Sequence, residues 1–500
     1  LRGRVGLVII RLVRVRAGAA VSLSFAFAPA DTDEAAVPVH AVAAASLADT
    51  LAALGEPAAA WARANAYSAA AGTTLAIPAP DGRVAAVVFG LGDVEKPTQR
   101  FLFGRLAKDL PAGLYQLATF EGDLDAALLG FALERYRFDR YRKPSAEGPR
   151  LVLPSSVDAA ELARLVAATT LARDLVNTPP NDLGTDELAA AVREVGERYG
   201  AEVTEVSGEA LRSGFPLVHA VGAGSDRPPR LVTFTWGALD APKLTLVGKG
   251  VVFDTGGLDI KPSAGMLLMK KDMGGAANTL ALAQLVMDAK LPVRLRLVVP
   301  IVENAISGRA FRPGDIYRSR KGLTVEIGNT DAEGRLILAD ALAFADDERP
   351  EVLIDMATLT GAARVALGPD LPPIYTHDDA FAEELATASV KVADPLWRLP
   401  LWAPYDDMLS SKIADVNHVS SGGFAGSITA ALFLARFVEH AKTWLHADIF
   451  AWTPSARPGR PEGGEAQLIR ALYEVLKSRY RPARPAGGRI SAATAKSTAA

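Results

Sequence analysis

From residue 186 to residue 450 the chain alternates short apolar runs with segments whose apolar residues recur at helical spacing. Helices are predicted over 186–199, 275–289, 334–346 and 427–440. Strands are predicted over 231–236, 244–247, 293–299, 323–327, 352–355 and 445–450. This pattern leaves few solutions. Runs such as Leu244-Thr-Leu-Val247 are too apolar to face water on either side, so they belong in a sheet covered by helices on both faces. Strand–helix–strand connections make such neighbours parallel. A chain of 500 residues also exceeds one ordinary domain. Residues 22–150 are more mixed. Residues 85–89 read as a strand, Gly90-Leu-Gly92 as a turn after it, and 123–137 as a helix. The polar stretch 140–148, with Pro144, is a boundary. Residues 159–176 read as a connecting helix that stops before Pro179 and Pro180. The expected fold class is α/β: a smaller N-terminal α/β domain (22–150), a linker helix within 151–183, and a larger C-terminal α/β domain (184–480) with a mostly parallel, helix-covered sheet.

The ends of the chain carry little of this pattern. In residues 1–21 the apolar run 5–10 is broken by Arg11, Arg14 and Arg16. It is shorter than the roughly 7–15 residues of a signal-peptide core, so a non-native or disordered extension is expected. The tail 481–500 is rich in Pro, Gly, Ser and Ala without apolar periodicity and is expected to be disordered. A net charge of −3 spread over a chain of this size counts against nucleic acid or an anionic membrane as the main partner. The sequence has no cysteine. That excludes disulfide scaffolds, thiolate metal sites and cysteine nucleophiles, and fits a cytoplasmic setting.

Three acid-bearing segments stand at strand ends or helix starts. The first is Val247-Gly-Lys-Gly-Val-Val-Phe-Asp-Thr-Gly-Gly-Leu-Asp-Ile-Lys261. The second is Met269-Lys-Lys-Asp-Met-Gly-Gly275, and the third Gly328-Asn-Thr-Asp-Ala-Glu-Gly-Arg335. In open α/β sheets that edge is where ligands bind. Asp331, Glu333 and Arg335 stand at period two, so an extended backbone would aim all three the same way. Taken singly, Asp254, Asp272, Asp331 and Glu333 read as loop acids. Brought together they would repel, and divalent cations are what could hold them. Two metals about 3.5–4 Å apart can clamp a substrate oxygen and supply a hydroxide nucleophile near neutral pH. Gly248-Lys-Gly250 lacks the longer frame of a phosphate loop. The histidines show no His-Glu-x-x-His spacing, and His446 reads as structural.

Asn329-Thr-Asp-Ala-Glu-Gly-Arg335 resembles the signature of the leucyl aminopeptidase (cytosol aminopeptidase) family. The two other acid-bearing segments and Asp355-Met-Ala-Thr-Leu-Thr-Gly361 resemble that family's remaining site segments, in order and spacing, and the likeness covers about residues 174–480. The resemblance implies a cytoplasmic two-metal aminopeptidase that removes leucine and other N-terminal residues from peptide substrates through a metal-activated water. It implies that Asp254 and Glu333 bridge two divalent ions, zinc or manganese with magnesium or cobalt also possible. Asp331 would bind the more exchangeable ion, and Lys249 and Asp272 the tighter one. Lys261 would polarise the scissile carbonyl, and Arg335 would hold a bicarbonate serving as general base. Backbone at Thr358, Leu359 and Gly361 would bind the substrate main chain, with Met269 lining the pocket for the N-terminal side chain. It also implies a homohexamer.

Thr255, Lys271 and the Pro/Gly/Arg-rich stretch 452–464 depart from the familiar members and bear on side-chain preference. Two rival functions are a dipeptidase of the same mechanism, such as one acting on cysteinylglycine, and a DNA-binding regulatory role.

Overall fold

The computed structural model describes residues 23–92, 100–143 and 147–480. The expectations for residues 1–21, Pro144 and 481–500 lie outside the described residues. An N-terminal sheet holds β1 (Phe27–Ala28), β2 (Val37–Ala43), β3 (Thr74–Pro78), β4 (Val84–Gly92), β5 (Gly113–Phe120) and β6 (Pro149–Val152), in the order β1-β6-β5-β2-β4-β3. Only β3 pairs antiparallel to its neighbour. Gly90 and Gly92 do not form the expected turn; β4 runs through both. A Cβ at Gly90 would lie 2.3 Å from the Ala70 carbonyl oxygen, so glycine there admits a crossing backbone rather than a reversal.

The helix Ala159–Asn177 leads into the larger domain. Its strands, in chain order, are β7 (Glu202–Ser207), β8 (Arg230–Trp236), β9 (Lys243–Gly248), β10 (Gly250–Asp254), β11 (Arg294–Asn304), β12 (Ile316–Arg318), β13 (Thr324–Glu326), β14 (Val352–Ala357), β15 (Pro373–Tyr375), β16 (Trp397–Arg398), β17 (Val416–Asn417) and β18 (Thr443–Asp448). The main sheet runs β16-β15-β18-β14-β9-β11-β8-β7, with β10 also on β11. Its centre, β18-β14-β9-β11, is parallel, and antiparallel pairs occur only towards the flanks. β13, legible as a strand, belongs instead to a separate small sheet with β12 and β17.

Alternation along the strands builds two cores. Leu244, Leu246 and Ile354 pack with Leu171, Leu280 and Leu472, from the helices Ala159–Asn177, Gly274–Asp288 and Ile469–Arg479. Val247, Val298 and Leu353 face the other way, onto Leu338 and Phe433 from Glu333–Asp346 and Gly426–Ala435. Each such side chain contributes about 1.5–3 kcal/mol on full burial. The last of these helices stops at Ala435, short of the expected residue 440. The buried Asp346 carboxylate accepts the backbone N–H groups of Glu439, His440 and Ala441, so the chain turns there instead of continuing i→i−4 bonds.

The Pro/Gly/Arg-rich stretch is a clasp between the two domains. Gly459 N–H donates to Glu134 of the N-terminal domain at 2.7 Å, and its carbonyl accepts from Arg173 at 2.8 Å. Arg173, fully buried, also pairs with Glu465 at 3.0 Å and reaches the Leu133 carbonyl.

The helix Gly274–Asp288 sits close enough to the sheet that a Cβ at Gly275 would lie 2.1 Å from the Met356 carbonyl oxygen. Gly275→Ala is expected to destabilise the protein by at least about 1–3 kcal/mol through overpacking. It should lower both the urea midpoint and Tm, and an unchanged midpoint would contradict this packing.

Candidate metal centre

β9 and β10 are one strand interrupted at Lys249. Lys249 N–H donates to the Met356 carbonyl on β14, and its own carbonyl accepts from Ala276 at the start of the facing helix. The flanking glycines make this possible. A Cβ at Gly248 would lie 2.2 Å from Thr279 Oγ1, and one at Gly250 2.6 Å from the Pro300 carbonyl oxygen. The Gly-Lys-Gly run is thus a packing device that pushes a lysine out at the carboxyl end of a central strand. Gly334 completes it: a Cβ there would fall 2.6 Å from Lys249 Nζ, so its missing side chain is the room the lysine occupies.

The other acids arrive from adjacent elements. Asp254 ends β10, and Asp272 lies in the 3-10 turn Met269–Met273. Asp331 lies in the 3-10 turn Thr330–Ala332, and Glu333 opens the helix Glu333–Asp346. Residues 331–335 are therefore helical, not extended, and period two does not put Asp331, Glu333 and Arg335 on one face. Asp331 and Glu333 still reach the same cavity, because a helix begins between them. One carboxylate oxygen from each of Asp254, Asp272 and Glu333 lies within 4.8 Å of the others.

Two lysines sit among the four carboxylates. Lys249 Nζ is 2.8 Å from Asp272 Oδ2 and 2.9 Å from Glu333 Oε1. Lys261 Nζ is 2.8 Å from Asp254 Oδ2 and also contacts Asp331 Oδ1. Burial alone would lower the Lys249 pKa, but Asp272, Glu333 and Asp254 together hold it well above the lysine range. Lys261 behaves alike, with Asp254 the largest opposing charge. Asp254 is pushed well up by burial and then by Glu333 and Asp272. Burial raises Asp272 to about 6 against the pull of Lys249, and burial also raises Asp331. Glu333 stays below its usual value because Lys249 and Lys261 outweigh its burial.

The donor set fits divalent cations. Asp272 Oδ2, Asp331 Oδ1 and Glu333 Oε1 are buried, and what they meet is the two lysine ammonium groups alone. Four carboxylates share two ammonium groups in ion-pair contact, and Lys271 and Arg364 line the same cavity without an ion pair to them. Oxygen ligands with one amine suit hard to borderline cations. All five expected ligands, with Lys261, Met269, Thr358, Leu359 and Gly361, line one cavity of about 330 Å³.

Some expected residues sit differently. Arg335 is not on the cavity wall; it is buried behind Glu333, with Nη1 donating to the His418 carbonyl at 2.8 Å. Thr358 grips Asp272 through Oγ1 at 2.8 Å, and its carbonyl accepts from Lys249. The Leu359 N–H is already engaged by Asp448. Gly361 opens a short helix and has open space beside it. Lys271 lines the same cavity, and burial lowers its ammonium to about 8, with Asp272 opposing. His446 Nδ1 donates to Asp355 Oδ1 at 2.5 Å, with the ring stacked near Tyr375 and Trp444 and away from the cavity wall.

Sequence reading missed a supporting set. Asn304, fully buried at the end of β11, donates to Asp254 Oδ1 at 2.8 Å and to the Thr330 carbonyl at 3.0 Å, tying two metal segments together. His418 lies against the carbonyls of Glu326 and Asn329 and accepts from Gly328 N–H, shaping the loop before Asp331. Burial and Arg335 lower its pKa to about 3, so it is neutral. Asp448, at the end of β18, accepts from Leu359, Thr360 and Ser427. A polar residue ending an apolar strand was the available signal for Asn304 and Asp448; His418 offered none.

Comparison with known proteins agrees with this geometry. Residues 170–473 match the catalytic domain of the cytosol aminopeptidase family, and residues 37–154 match the M17 aminopeptidase N-terminal domain. A probable cytosol aminopeptidase of Mycobacterium sp. (strain JLS) is 40% identical over 410 residues, covering 76% of this chain and 79% of its own. One from Chlorobium limicola is 38% identical over 430 residues, covering 81% and 82%. The crystal structure of cytosol aminopeptidase from Coxiella burnetii superposes with a TM-score of 0.87 at 46% identity, over 91% of this chain and 99% of that one. The bottromycin maturation enzyme BotP in complex with Mn gives 0.80 at 34% identity, over 89% and 100%. The chain belongs to the cytosol aminopeptidase family, whose members are metal-dependent aminopeptidases.

Proposed function

We propose that this chain binds two divalent ions between Lys249, Asp254, Asp272, Asp331 and Glu333 and removes leucine and other N-terminal residues from peptides in the cytoplasm. The observation that carries it is the convergence of Asp254, Asp272 and Glu333 within 4.8 Å, on the wall of one cavity that Asp331 also lines. Asp254 and Glu333 would be shared between the two ions, and Lys249 and Asp272 would hold the tighter one. Asp331, with a side chain 31% exposed against 4% for Asp272, suits the exchangeable one. The related Mn complex favours manganese, with zinc, magnesium or cobalt as alternatives. The ions supply Lewis acidity and a water activated for attack near neutral pH.

The protein's own groups do the rest. Lys249 must give up its proton to serve as a ligand, since an ammonium has no lone pair. Lys261 remains charged and stabilises the oxyanion that develops on the scissile carbonyl. By resemblance Arg335 would hold a bicarbonate general base; its Nη1 is committed to the His418 carbonyl off the cavity wall, so that role requires the guanidinium to turn towards the cavity. Backbone at Thr358, Leu359 and Gly361 aligns the peptide, with the Leu359 carbonyl rather than its N–H available, and Met269 meets the N-terminal side chain. A homohexamer is expected, and light scattering at micromolar concentration checks it.

The direct test is hydrolysis of leucine p-nitroanilide and of tripeptides with manganese or zinc, abolished by chelation. Amino-terminally acetylated peptides should be untouched. Cleavage confined to dipeptides would favour the dipeptidase instead.

Lys261→Ala should lower kcat on the order of 10²–10³-fold, as loss of one oxyanion stabiliser does, while metal content by atomic emission stays near two ions per chain. Asp272→Ala should lose metal together with activity. Loss of metal in Lys261→Ala, or a raised KM with near-normal kcat, would overturn these roles.

A further inference from the structure

The cavity carries two cations that the metal ligands leave unpaired. Lys271 is 5% exposed and lines the wall; Arg364, on the helix Gly361–Leu367, lines the same wall from its exposed side. Both lie over one aromatic ring: Lys271 Nζ is 4.8 Å and Arg364 Cζ 4.9 Å from the centroid of Phe450. Among the described residues no carboxylate makes an ion pair with either. The acids near them are committed elsewhere. Asp272 holds Thr358 Oγ1 and Lys249. Asp448 accepts from Leu359 N–H, Thr360 N–H, the Thr360 hydroxyl and the Ser427 hydroxyl.

A ring face offers a desolvated ammonium only part of what water gave it, and a buried cation without an anion is costly. The missing partner is a carboxylate, and the place it would occupy is open to the cavity. Lys271 lies two residues after Met269 in the same turn. Met269, Ile449 and Phe450 line the same cavity and offer apolar surface to a short aliphatic stem.

We propose that Lys271 and Arg364, framed by Phe450, form a subsite for an acidic side chain, so that this chain removes N-terminal glutamate or aspartate in preference to glutamine or asparagine. This rests on the aminopeptidase reading above. A dipeptide's free C-terminal carboxylate has the same chemistry, and the test separates the two sources.

The experiment measures kcat/KM of the manganese-loaded full chain on glutamyl, glutaminyl and leucyl p-nitroanilides, and on leucylglycine against leucylglycinamide. The expected result is a glutamyl over glutaminyl ratio of about 10–100, the worth of one hydrogen bond to a charged group. That ratio should fall towards one in Lys271→Met and in Arg364→Ala. Because each ratio is taken within one protein, partial metal loss in Lys271→Met cancels, and Arg364→Ala keeps the test alive if Lys271→Met fails to fold. Equal rates on glutamyl and glutaminyl substrates would overturn the subsite. So would an unchanged ratio in Arg364→Ala, or a preference for leucylglycine over its amide without a glutamyl preference. If no substrate in the panel is cleaved, the aminopeptidase reading fails and the subsite with it; cleavage of the leucyl substrate alone fails only the subsite.

Discussion

Repulsion among carboxylates is the constraint around which the larger domain is arranged. Two ionised carboxylates 4.8 Å apart oppose each other by roughly 3–4 kcal/mol even at an effective dielectric near 20, and here four of them share one cavity. Lys249 and Lys261 offset part of that. Each ammonium touches two acids, Lys249 on the buried side and Lys261 on the open side. The backbone serves the same end. The strand breaks at Lys249, the neighbouring glycines let helix and sheet close upon it, and Gly334 leaves space for its side chain. What remains is a cluster of acids at the carboxyl edge of a parallel sheet, balanced locally only where each lysine touches two of them.

That edge also explains why the site depends on the whole sheet. Asp254 ends β10, Asn304 ends β11, Thr358 follows β14 and Asp448 ends β18. The hydrogen bonds Asn304–Asp254, Thr358–Asp272 and Asp448–Leu359 run sideways between these strand ends. Asp254 is thus held from β11, and Asp272 and Asp448 from the residues after β14. The positions of the ligands are set by strand register and by helix seating at Gly275, more than by the loops that carry them.

Much of this was legible in the sequence, for identifiable reasons. The central strands and the helices 159–177, 185–198, 274–288 and 333–346 follow from apolar runs and helical spacing because both faces of the sheet are buried. The metal segments were legible because Gly, Asp and Lys cluster where strands end. Local backbone at 331–335 was not. Spacing alone cannot distinguish an extended loop from a helix start, and Asn329 caps the turn by accepting the Asp331 N–H. The end of the helix Gly426–Ala435 was equally hidden, since its cause, Asp346, stands about ninety residues away. His418 shapes the Asp331 loop across a similar distance. Interactions of that kind leave no periodic trace.

The same separation divides chemistry from selectivity. The proposed metal chemistry would need Asp254, Asp272, Asp331, Glu333 and two lysines at fixed spacing, so those positions answer to charge balance. The opposite wall, with Met269, Lys271, Arg364 and Phe450, touches none of the converging carboxylate oxygens as an ion-pair partner. Lys271 stands beside the ligand Asp272 and Phe450 two residues after the supporting Asp448, yet Lys271 and Arg364 meet the Phe450 ring rather than an acid. A substitution there can change the charge offered to an N-terminal side chain while the strand register that holds the metals stays as it is. On the proposed reading, Lys271 and Phe450 would carry information about substrate that the family's signature segment does not.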